Sequence, residues 1–449
     1  MLTTMDYRHS SHANGTMYSL LESSLDNILS FIKPLEEDRL RRLNTINDVR
    51  NAIQPVASLK GAAVNPFGSF ISNLYTKWGD LDISIQVSPS PYSSVGRKQK
   101  QNLLRDIMKV LRKTGWGTIQ FIPQARVPLL VFESRYRNIS CDISIDNHVG
   151  QIKSKMFLWL AEIDGRFRDM VLLIKEWAKA HNINDPKAGT LNSYSLCLLV
   201  IFHFQTCSPA ILPPLKDIYG GNLADDFTGM RFVSERQIED LCAANIAKFR
   251  SQGGKNDSTL QKLLTSFFEK FCRIQNLATV YVICTYSGKW ESIWNNPIWM
   301  EKRYQLFVED PFEIPDNAAR AVAERGLPII SNAFADTYRS LSSARVLSDR
   351  NALLSILVRP HVVPQIGRTP GIQHSNHGAY GYENRIEANY ARTQGTHVQT
   401  YTRSGVPLHY QFKNVLELDS DRPSSSSTSS PRRQGAGKNR EQTWKPRYS

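Results

Sequence analysis

The stretch that decides the fold begins with GSF at residues 68–70 and continues, ten residues after the serine, with GDLDISI at residues 79–85. Successive side chains of a β-strand point to opposite faces of its sheet. The apolar face of a strand here carries Leu81, Ile83 and Ile85, and the opposite face carries Asp80, Asp82 and Ser84. Two carboxylates therefore project together from a strand whose other face is apolar.

A second segment, ISCDISID at residues 139–146, repeats this alternation and brings Asp142 to a polar face. Carboxylates that converge on one open sheet face repel one another unless a divalent cation lies among them. Oxygen ligands without neighbouring His or Cys suit Mg²⁺ or Mn²⁺, and Mg²⁺ commonly borrows substrate phosphates as further ligands. Asp80, Asp82 and Asp142 are thus candidate catalytic residues and ligands of two such ions, in a phosphoryl- or nucleotidyl-transfer site.

The composition narrows the class of protein. A chain of 449 residues predicts about two to three domains. No apolar run approaches the roughly 18 residues of a membrane span, and the first residues lack a secretory signal pattern. The six cysteines form no metal-binding or CxxC spacing, which predicts free thiols in a reducing compartment. We therefore expect a cytoplasmic and/or nuclear protein with no membrane partner.

The net charge of +14 is unevenly distributed. Residues 341–449 carry 15 Lys and Arg against 7 Asp and Glu, so the last quarter holds eight of the fourteen net positive charges. Such a basic excess favours an acidic polymer such as nucleic acid. On charge alone, a merely soluble basic surface is an equal alternative.

Periodicity divides the chain into four parts. Residues 17–55 predict N-terminal helices, interrupted at Pro34, that pack on a helical domain. Residues 56–150 alternate short strands with one helix near 98–113, and residues 151–340 are mostly helical. Residues 341–449 have low-complexity composition and are expected to be a mainly disordered basic tail. The predicted fold class is α+β, with a mixed catalytic sheet and a mostly helical second domain.

Two further patterns indicate nucleotide binding. In the predicted helix at residues 165–181, Arg168, Lys175 and Lys179 form a basic stripe within an almost wholly apolar surface. An anion such as a triphosphate would explain two lysines there, whereas the alternative is that they snorkel to solvent. The same helix is expected to expose three residues to solvent: Arg166, Asp169 and Glu176. GTLNSYS at 189–195 begins a helix, whose N-terminus favours anions, and Tyr194 offers a ring for stacking a base.

Taken in order, these motifs resemble a known family. The motifs are GS at 68–69, DLD at 80–82, CDISID at 141–146, KEWAKAHNIN at 175–184, GTLNSYS at 189–195 and FVEDPFEIPDNAAR at 307–320. They resemble the terminal nucleotidyltransferases that add uridines or adenosines to RNA 3′ ends, and above all the plant terminal uridylyltransferases that tail small RNAs. Over residues 20–340 the resemblance implies a polymerase-β-like catalytic sheet and a helical, poly(A)-polymerase-associated domain, with the nucleotide in the cleft between them.

The resemblance also implies roles for individual residues. Asp80, Asp82 and Asp142 would bind the metal ions. Gly68 and Ser69 would form the phosphate-contacting loop, and Lys175 and Lys179 would bind the triphosphate. Ser193 and Tyr194 would contact sugar and base, with Tyr194 stacking on the base.

Two positions depart from the uridine-selective yeast-type members. Asp316 stands where those members carry His, and Lys153, followed by Ser154, stands where they carry a ribose-contacting Asn. Asp316 and Ser154 are candidate substrate contacts in this chain. An ionised Asp316 accepts equally from uracil N3–H and from the adenine amino group, so this residue leaves the base undecided.

The plant-like motif set favours UTP. We expect template-independent transfer of UMP from UTP to the 3′-hydroxyl ends of small RNAs or RNA decay fragments, marking them for degradation. The basic tail would add RNA affinity and contact small-RNA silencing proteins. The alternatives are a poly(A)-adding enzyme of the same family and an inactive RNA-binding scaffold, and the intact carboxylates argue against the scaffold.

Overall fold

The computed structural model of the chain describes residues 8–87, 95–134, 139–221, 226, 235–252 and 254–366. The part of the predicted tail that starts at residue 367 lies outside the described residues. None of the described helices combines the length and the hydrophobicity needed to cross a bilayer. The six cysteines are free thiols, and four of them are buried.

A five-stranded mixed sheet forms the first half of the fold, with the strand order β1-β2-β5-β4-β3. Strands β2 and β5 are parallel, and the other neighbouring pairs in this sheet are antiparallel. A two-stranded hairpin, β6-β7, lies farther along the chain. The described strands are β1 (Ala63–Phe67), β2 (Leu81–Gln86), β3 (Ile119–Ile122), β4 (Leu129–Ser134), β5 (Ile139–Ile145), β6 (Tyr281–Cys284) and β7 (Lys289–Ser292).

Helices make up most of the remaining described chain, and several of them start at side-chain caps. The Asn147, Asp164 and Asn192 side chains each accept from a backbone N–H in the first turn of the helix that follows. The α-helices are α1 (Arg8–Ile32), α2 (Glu36–Ile53), α3 (Gly68–Ile71), α4 (Arg97–Lys113), α5 (His148–Ile163), α6 (Gly165–Ala180), α7 (Ser193–Gln205), α8 (Leu215–Ile218), α9 (Glu235–Gln252), α10 (Leu260–Phe271), α11 (Ile274–Leu277), α12 (Pro297–Met300), α13 (Gly326–Leu341), α14 (Ala344–Leu347) and α15 (Arg350–Leu357).

The sheet has its own hydrophobic core, which includes the apolar residues of β2 and β5 that alternate with the aspartates. Helix α4 covers this core through Leu104, Ile107 and Leu111. Helix α2 joins the same core through Ile46, Val49 and Ile53. We predicted that both N-terminal helices pack on the helical domain, and α2 departs from that prediction. Its apolar residues face the sheet because Pro34 ends the preceding helix and lets the chain change direction.

The helical half is built around α6 and α7, which are buried along most of their length. Trp177 lies at its centre against Phe268 and Phe334, with ring centroids 4.7 and 4.8 Å away. The indole N–H of Trp177 donates to Thr337 Oγ1 at 2.9 Å, so its polar atom is satisfied inside the core. Helix α1 adds Leu21, Leu25 and Ile28 to the same core.

The helical core continues beyond residue 340, where we predicted the disordered tail to begin. Helix α15 buries Leu353, Leu354 and Leu357, and the chain after it buries Val358 and Val362. The prediction was wrong for residues 341–366, because their apolar side chains recur at helical spacing within an otherwise polar region. This segment belongs to the folded unit.

Replacing Leu354 with alanine tests whether α15 is part of the cooperative core. Leu354 is 1% exposed, so Leu354→Ala should lower the free energy of unfolding by about 2–5 kcal/mol. Leu35→Ala, at a position that is 65% exposed, is the control and should change it by less than about 0.5 kcal/mol. Urea denaturation of the full chain measures both, and equal stabilities would show that α15 unfolds independently.

Candidate active site

The parallel pairing of β2 and β5 brings two of the candidate metal ligands side by side. Asp82 and Asp142 are register partners across this pair. Asp80 precedes β2 by one residue, two positions before Asp82 and on the same face. The two segments singled out for their alternation are therefore neighbouring strands of one sheet, and their acidic residues meet at the same end of it.

Burial and like charge act together on these carboxyl groups. Burial, followed by the charges of Asp142 and Asp80, raises the pKa of Asp82 to about 7. Burial and the charge of Asp80 raise the pKa of Asp142 to about 6. Burial also raises the pKa of Asp80, although Lys179 and Arg42 act in the opposite direction. The cluster is electrostatically strained until a cation approaches it.

The loop after β1 brings the backbone against Asp82. Gly68 has a φ of +69°, and a Cβ atom at this position would collide with the Asp82 carboxylate. The backbone N–H of Ser69 donates to Asp82. The backbone N–H of Gly68 donates to Ser154 Oγ at 2.6 Å, and this hydroxyl donates to the Gly150 carbonyl at 2.6 Å. Ser154 lines the cleft, but its hydroxyl is committed to holding this loop in place.

Buried Arg42 of α2 holds the segment in front of Asp80. Its guanidinium donates to the carbonyls of Lys77 and Gly79, at 3.3 and 2.5 Å, and lies 4.7 Å from the centroid of the Tyr75 ring. Fixing the Gly79 carbonyl fixes the start of the next residue, Asp80. Sequence reasoning missed Arg42, because a single arginine in a strongly charged helix gives no sign that it is buried.

Helix α6 brings its basic residues to the acidic cluster. Arg168 Nε donates to the Asn73 carbonyl and Lys175 Nζ donates to the Leu74 carbonyl, each at 2.8 Å. Both carbonyls belong to the loop that follows α3. Lys179 is exposed, and its positive charge acts to lower the pKa of Asp80. The stripe is thus divided, with Arg168 and Lys175 tying the helix to the catalytic sheet and Lys179 open to a ligand. Glu176, which we expected to be solvated, is instead 1% exposed.

One cleft of about 350 Å³ connects most of the predicted site residues. Its walls include Asp80 and Asp82, the loop after β1, the lysines of α6 and the start of α7. The predicted residues among them are Gly68, Ser69, Asp80, Asp82, Ser154, Lys175, Lys179, Ser193 and Tyr194. Asp142 is not among the residues that line this cleft, and it lies beside Asp82 on the neighbouring strand.

The far end of the cleft is a network around Tyr194. The Tyr194 ring stacks on Phe157, with centroids 5.7 Å apart and planes at 23°. Its hydroxyl donates to Asp310 Oδ1 at 2.9 Å. Lys153 Nζ lies 4.6 Å from the Tyr194 ring centroid and donates to Asp310 and Glu313 at 2.5 and 2.6 Å. Ser193, at the N-terminus of α7, is exposed and bonds to the Asn184 side chain.

Asp316 is not brought to the cleft wall. Its carboxylate pairs with Arg126 at 2.6 Å and with Arg320 at 2.9 Å. Arg126 also pairs with Glu313, so it joins the turn between β3 and β4 to the segment that carries Glu313. The side chain that we predicted to contact substrate instead takes part in an ion-pair network that connects the sheet to the helical half.

The donor set fits a divalent cation. Within the described ranges no three or more His, Cys, Asp or Glu side chains already form an ion-binding group. Asp80, Asp82 and Asp142 nevertheless supply hard oxygen donors at one sheet end, and a cation there would relieve the repulsion that raises their pKa values. These residues would hold Mg²⁺ or Mn²⁺.

Comparison with known proteins now identifies the family. A family model described as "Poly(A) RNA polymerase, mitochondrial-like, central palm domain" matches residues 21–161. Protein HESO1 of Arabidopsis thaliana is 51% identical over 368 residues, which are 81% of this chain and 71% of that protein. The chain belongs to the polymerase-β-like RNA terminal nucleotidyltransferases. It is therefore an enzyme that transfers nucleotides to RNA.

Two further comparisons agree with this assignment. Terminal uridylyltransferase cid1 of Schizosaccharomyces pombe is 28% identical over 330 residues, 68% of this chain and 74% of that protein. A crystal structure of the Cid1 poly(U) polymerase with MgGTP aligns with a TM-score of 0.57 over 73% of this chain and 97% of that one. Its 23% identity supports the fold alone, which confirms the predicted α+β class with a polymerase-β-like sheet and a helical second domain.

Sequence reasoning missed several residues that contact the side chains lining the cleft, for identifiable reasons. Asp310 and Glu313 lie in the FVEDPFE motif, but the motif does not show that they pair with Lys153, more than 150 residues earlier. Arg359 was set aside with the tail. The apolar spacing in ALLSILV at 352–358 is the signal that identifies this part as folded.

Gly68→Ala tests the close approach of the loop to Asp82. The new Cβ would displace the Asp82 carboxylate, so nucleotide transfer should fall by at least about 100-fold, as displacements of about 1 Å in active sites commonly cause. Gly115→Ala is the matched control, because Gly115 also has a positive φ, of +79°, but has open space around its Cβ position. Equal losses in both variants would mean that backbone strain, and not the collision, is responsible.

The raised pKa of Asp82 predicts a pH-dependent stability in metal-free buffer. Asp82 retains its proton in the folded chain up to about pH 7, whereas the unfolded chain releases it near pH 4. Stability should therefore fall as the pH rises between these values and level off above them. Asp82→Asn should raise the free energy of unfolding at pH 8 by about 1 kcal/mol or more and abolish transfer.

Chemical denaturation at pH 5 and pH 8, with and without Mg²⁺, measures this difference. Asp336→Asn, at an exposed site on α13, is the control and should leave the pH dependence unchanged. Loss of stability in Asp82→Asn at pH 8 would contradict the repulsion.

Proposed function

We propose that this enzyme is an RNA terminal uridylyltransferase that moves UMP from UTP to an RNA 3′-hydroxyl and releases pyrophosphate, without a template. The supporting observation is the single cleft in which Asp80 and Asp82 face Lys175 and Lys179, with Tyr194 farther along the same wall. Such a cleft can receive a triphosphate between its acidic and basic walls and a base beyond them.

The residues of the cleft have separate tasks in this reaction. Asp80, Asp82 and Asp142 would hold two divalent cations, which would supply acidification of the attacking hydroxyl and positive charge against the phosphates. The ammonium of Lys179, which lines the cleft, offsets negative charge on the leaving phosphates. Lys175, bonded to the Leu74 carbonyl, keeps α6 at the correct distance from the loop after β1. The N–H of Ser69 and the absence of a side chain at Gly68 orient Asp82.

The base end of the cleft favours uracil on chemical grounds. The Lys153 ammonium has three N–H donors, and Asp310 and Glu313 accept two of them. The remaining donor suits a carbonyl oxygen, which uracil has at two positions, whereas adenine offers only ring nitrogens as acceptors. Tyr194 supplies an aromatic surface held by its bond to Asp310. Adenylyl transfer is the second candidate, because the family model that matches residues 21–161 carries the name of a poly(A) RNA polymerase.

The substrates and cellular place are part of the same proposal. We take the acceptors to be small RNAs or RNA decay fragments that uridylation marks for degradation, in the cytoplasm, the nucleus or both. Residues 367–449 extend the positive charge of the chain, which would add sequence-independent RNA affinity that weakens with salt. Contacts with small-RNA silencing proteins through this tail would be a further role for it.

Single-nucleotide extension assays on a short RNA test the proposed activity. With Mg²⁺ or Mn²⁺, UTP should be incorporated at least about tenfold more efficiently than ATP, the discrimination expected for one hydrogen bond of about 1.4 kcal/mol. Lys153→Met should reduce this preference, whereas Asp80→Ala should abolish extension with every nucleotide and leave RNA binding nearly intact. A preference for ATP would establish the adenylyl alternative, and extension by Asp80→Ala would remove the metal assignment.

A further inference from the structure

The segment after α15 returns from the helical core to the nucleotide cleft. Val358 and Val362 are buried in the core, and the side chain of Arg359 between them reaches Glu176 on α6. Arg359 therefore contacts a residue of the cleft wall from a part of the chain that lies outside the catalytic motifs.

Arg359 makes a bidentate ion pair with Glu176. Its Nε donates to Glu176 Oε1 at 2.8 Å and its Nη2 donates to Oε2 at 2.9 Å. The backbone N–H of Arg359 donates to the same Oε1 at 3.2 Å, so one residue supplies three donors to this carboxylate. Two parallel bonds between a guanidinium and a carboxylate fix both charge and orientation.

The position of Glu176 makes this pairing relevant to nucleotide binding. Glu176 is 1% exposed, lines the cleft, and lies on α6 between Lys175 and Lys179. A buried carboxylate without a partner would repel a triphosphate and would attract the ammonium of Lys179, three residues away on the same helix. The pKa of Lys179 is lowered by desolvation and then by the charge of Arg359, so the two cations lie within electrostatic range of each other.

Arg359 also touches the loop that carries Asp80. Its guanidinium carbon lies 4.8 Å from the centroid of the Trp78 ring, two residues before Asp80. The His361 ring meets the same indole edge to face, at 6.5 Å between centroids. One short segment therefore contacts both α6, through Glu176, and the loop that leads to Asp80, through Trp78.

We propose that Arg359 is a positioning residue for the nucleotide: by neutralising Glu176 it leaves the cleft face of α6 free to bind the triphosphate through Lys179. This inference rests on the proposed nucleotide-transfer function of the cleft. It assigns a role in that function to the segment after α15, which carries none of the sequence motifs of the active site.

Steady-state kinetics of RNA extension, with UTP varied at saturating RNA, test this role. Arg359→Met should raise the KM for UTP about tenfold with a smaller change in kcat, the pattern of lost ground-state binding. The double variant Glu176→Gln/Arg359→Met removes the unpaired charge as well, and its KM should return to within about threefold of the wild type. Arg339→Met, which breaks an exposed ion pair on α13, is the matched control and should leave KM unchanged.

Recovery in the double variant separates this role from a merely structural one. If Arg359 only stabilised the fold, the double variant would remain as impaired as Arg359→Met, and the proposal would be overturned. A wild-type KM in Arg359→Met would overturn it as well. Should Arg359→Met fail to fold in thermal unfolding, Arg359→Lys and Glu176→Gln/Arg359→Lys replace the pair, because lysine keeps the charge but loses the bidentate geometry. If the wild-type protein failed to extend RNA with every nucleotide tested, the proposed function itself would be wrong.

Discussion

The active site depends on the parallel pairing of β2 with β5, because this pairing fixes Asp82 beside Asp142. The apolar residues that alternate with the aspartates are fully committed to the sheet core, so neither strand can rotate to separate the charges. A shift of one residue in register would turn each buried isoleucine toward the cleft. Hydrophobic burial thus holds two like charges together, and the raised pKa values of both groups express that conflict.

The surrounding structure reduces the conflict without removing it. Arg42 and Lys179 act on Asp80, and the N–H of Ser69 acts on Asp82, but these contacts leave both pKa values above their ordinary range. A site whose charges were fully compensated by its own side chains would have little affinity for a cation. The incomplete compensation is therefore compatible with binding Mg²⁺ or Mn²⁺, and it couples the stability of the sheet to occupancy of the site.

Local alternation and periodicity were sufficient to predict the strands that carry the aspartates, the helix that carries the lysines, and the class of fold. Contacts between distant segments were not predictable in this way. Asp316 was expected in the cleft, but Arg126, from the β3–β4 turn, holds it in an ion pair. Glu176 was expected in solvent. Helical periodicity shows which residues share a face of a helix, but it does not show that Arg359 covers that face. The boundary at residue 340 was wrong because the general polarity of the last quarter concealed the short apolar spacing of α15.

The contact between Arg359 and Glu176 shows why these errors are connected. Helix α6 is buried on so many sides that a carboxylate in its cleft-facing turn cannot reach water, and an ionised group there needs a partner close by. A partner from α6 itself would be Lys179, three residues farther along, which would then be lost to the triphosphate. An arginine from a separate segment avoids that competition, provided that the segment is anchored. The burial of Leu353, Leu354 and Leu357 provides the anchor, so the packing of α15 and the charge of the nucleotide cleft depend on the same stretch of chain.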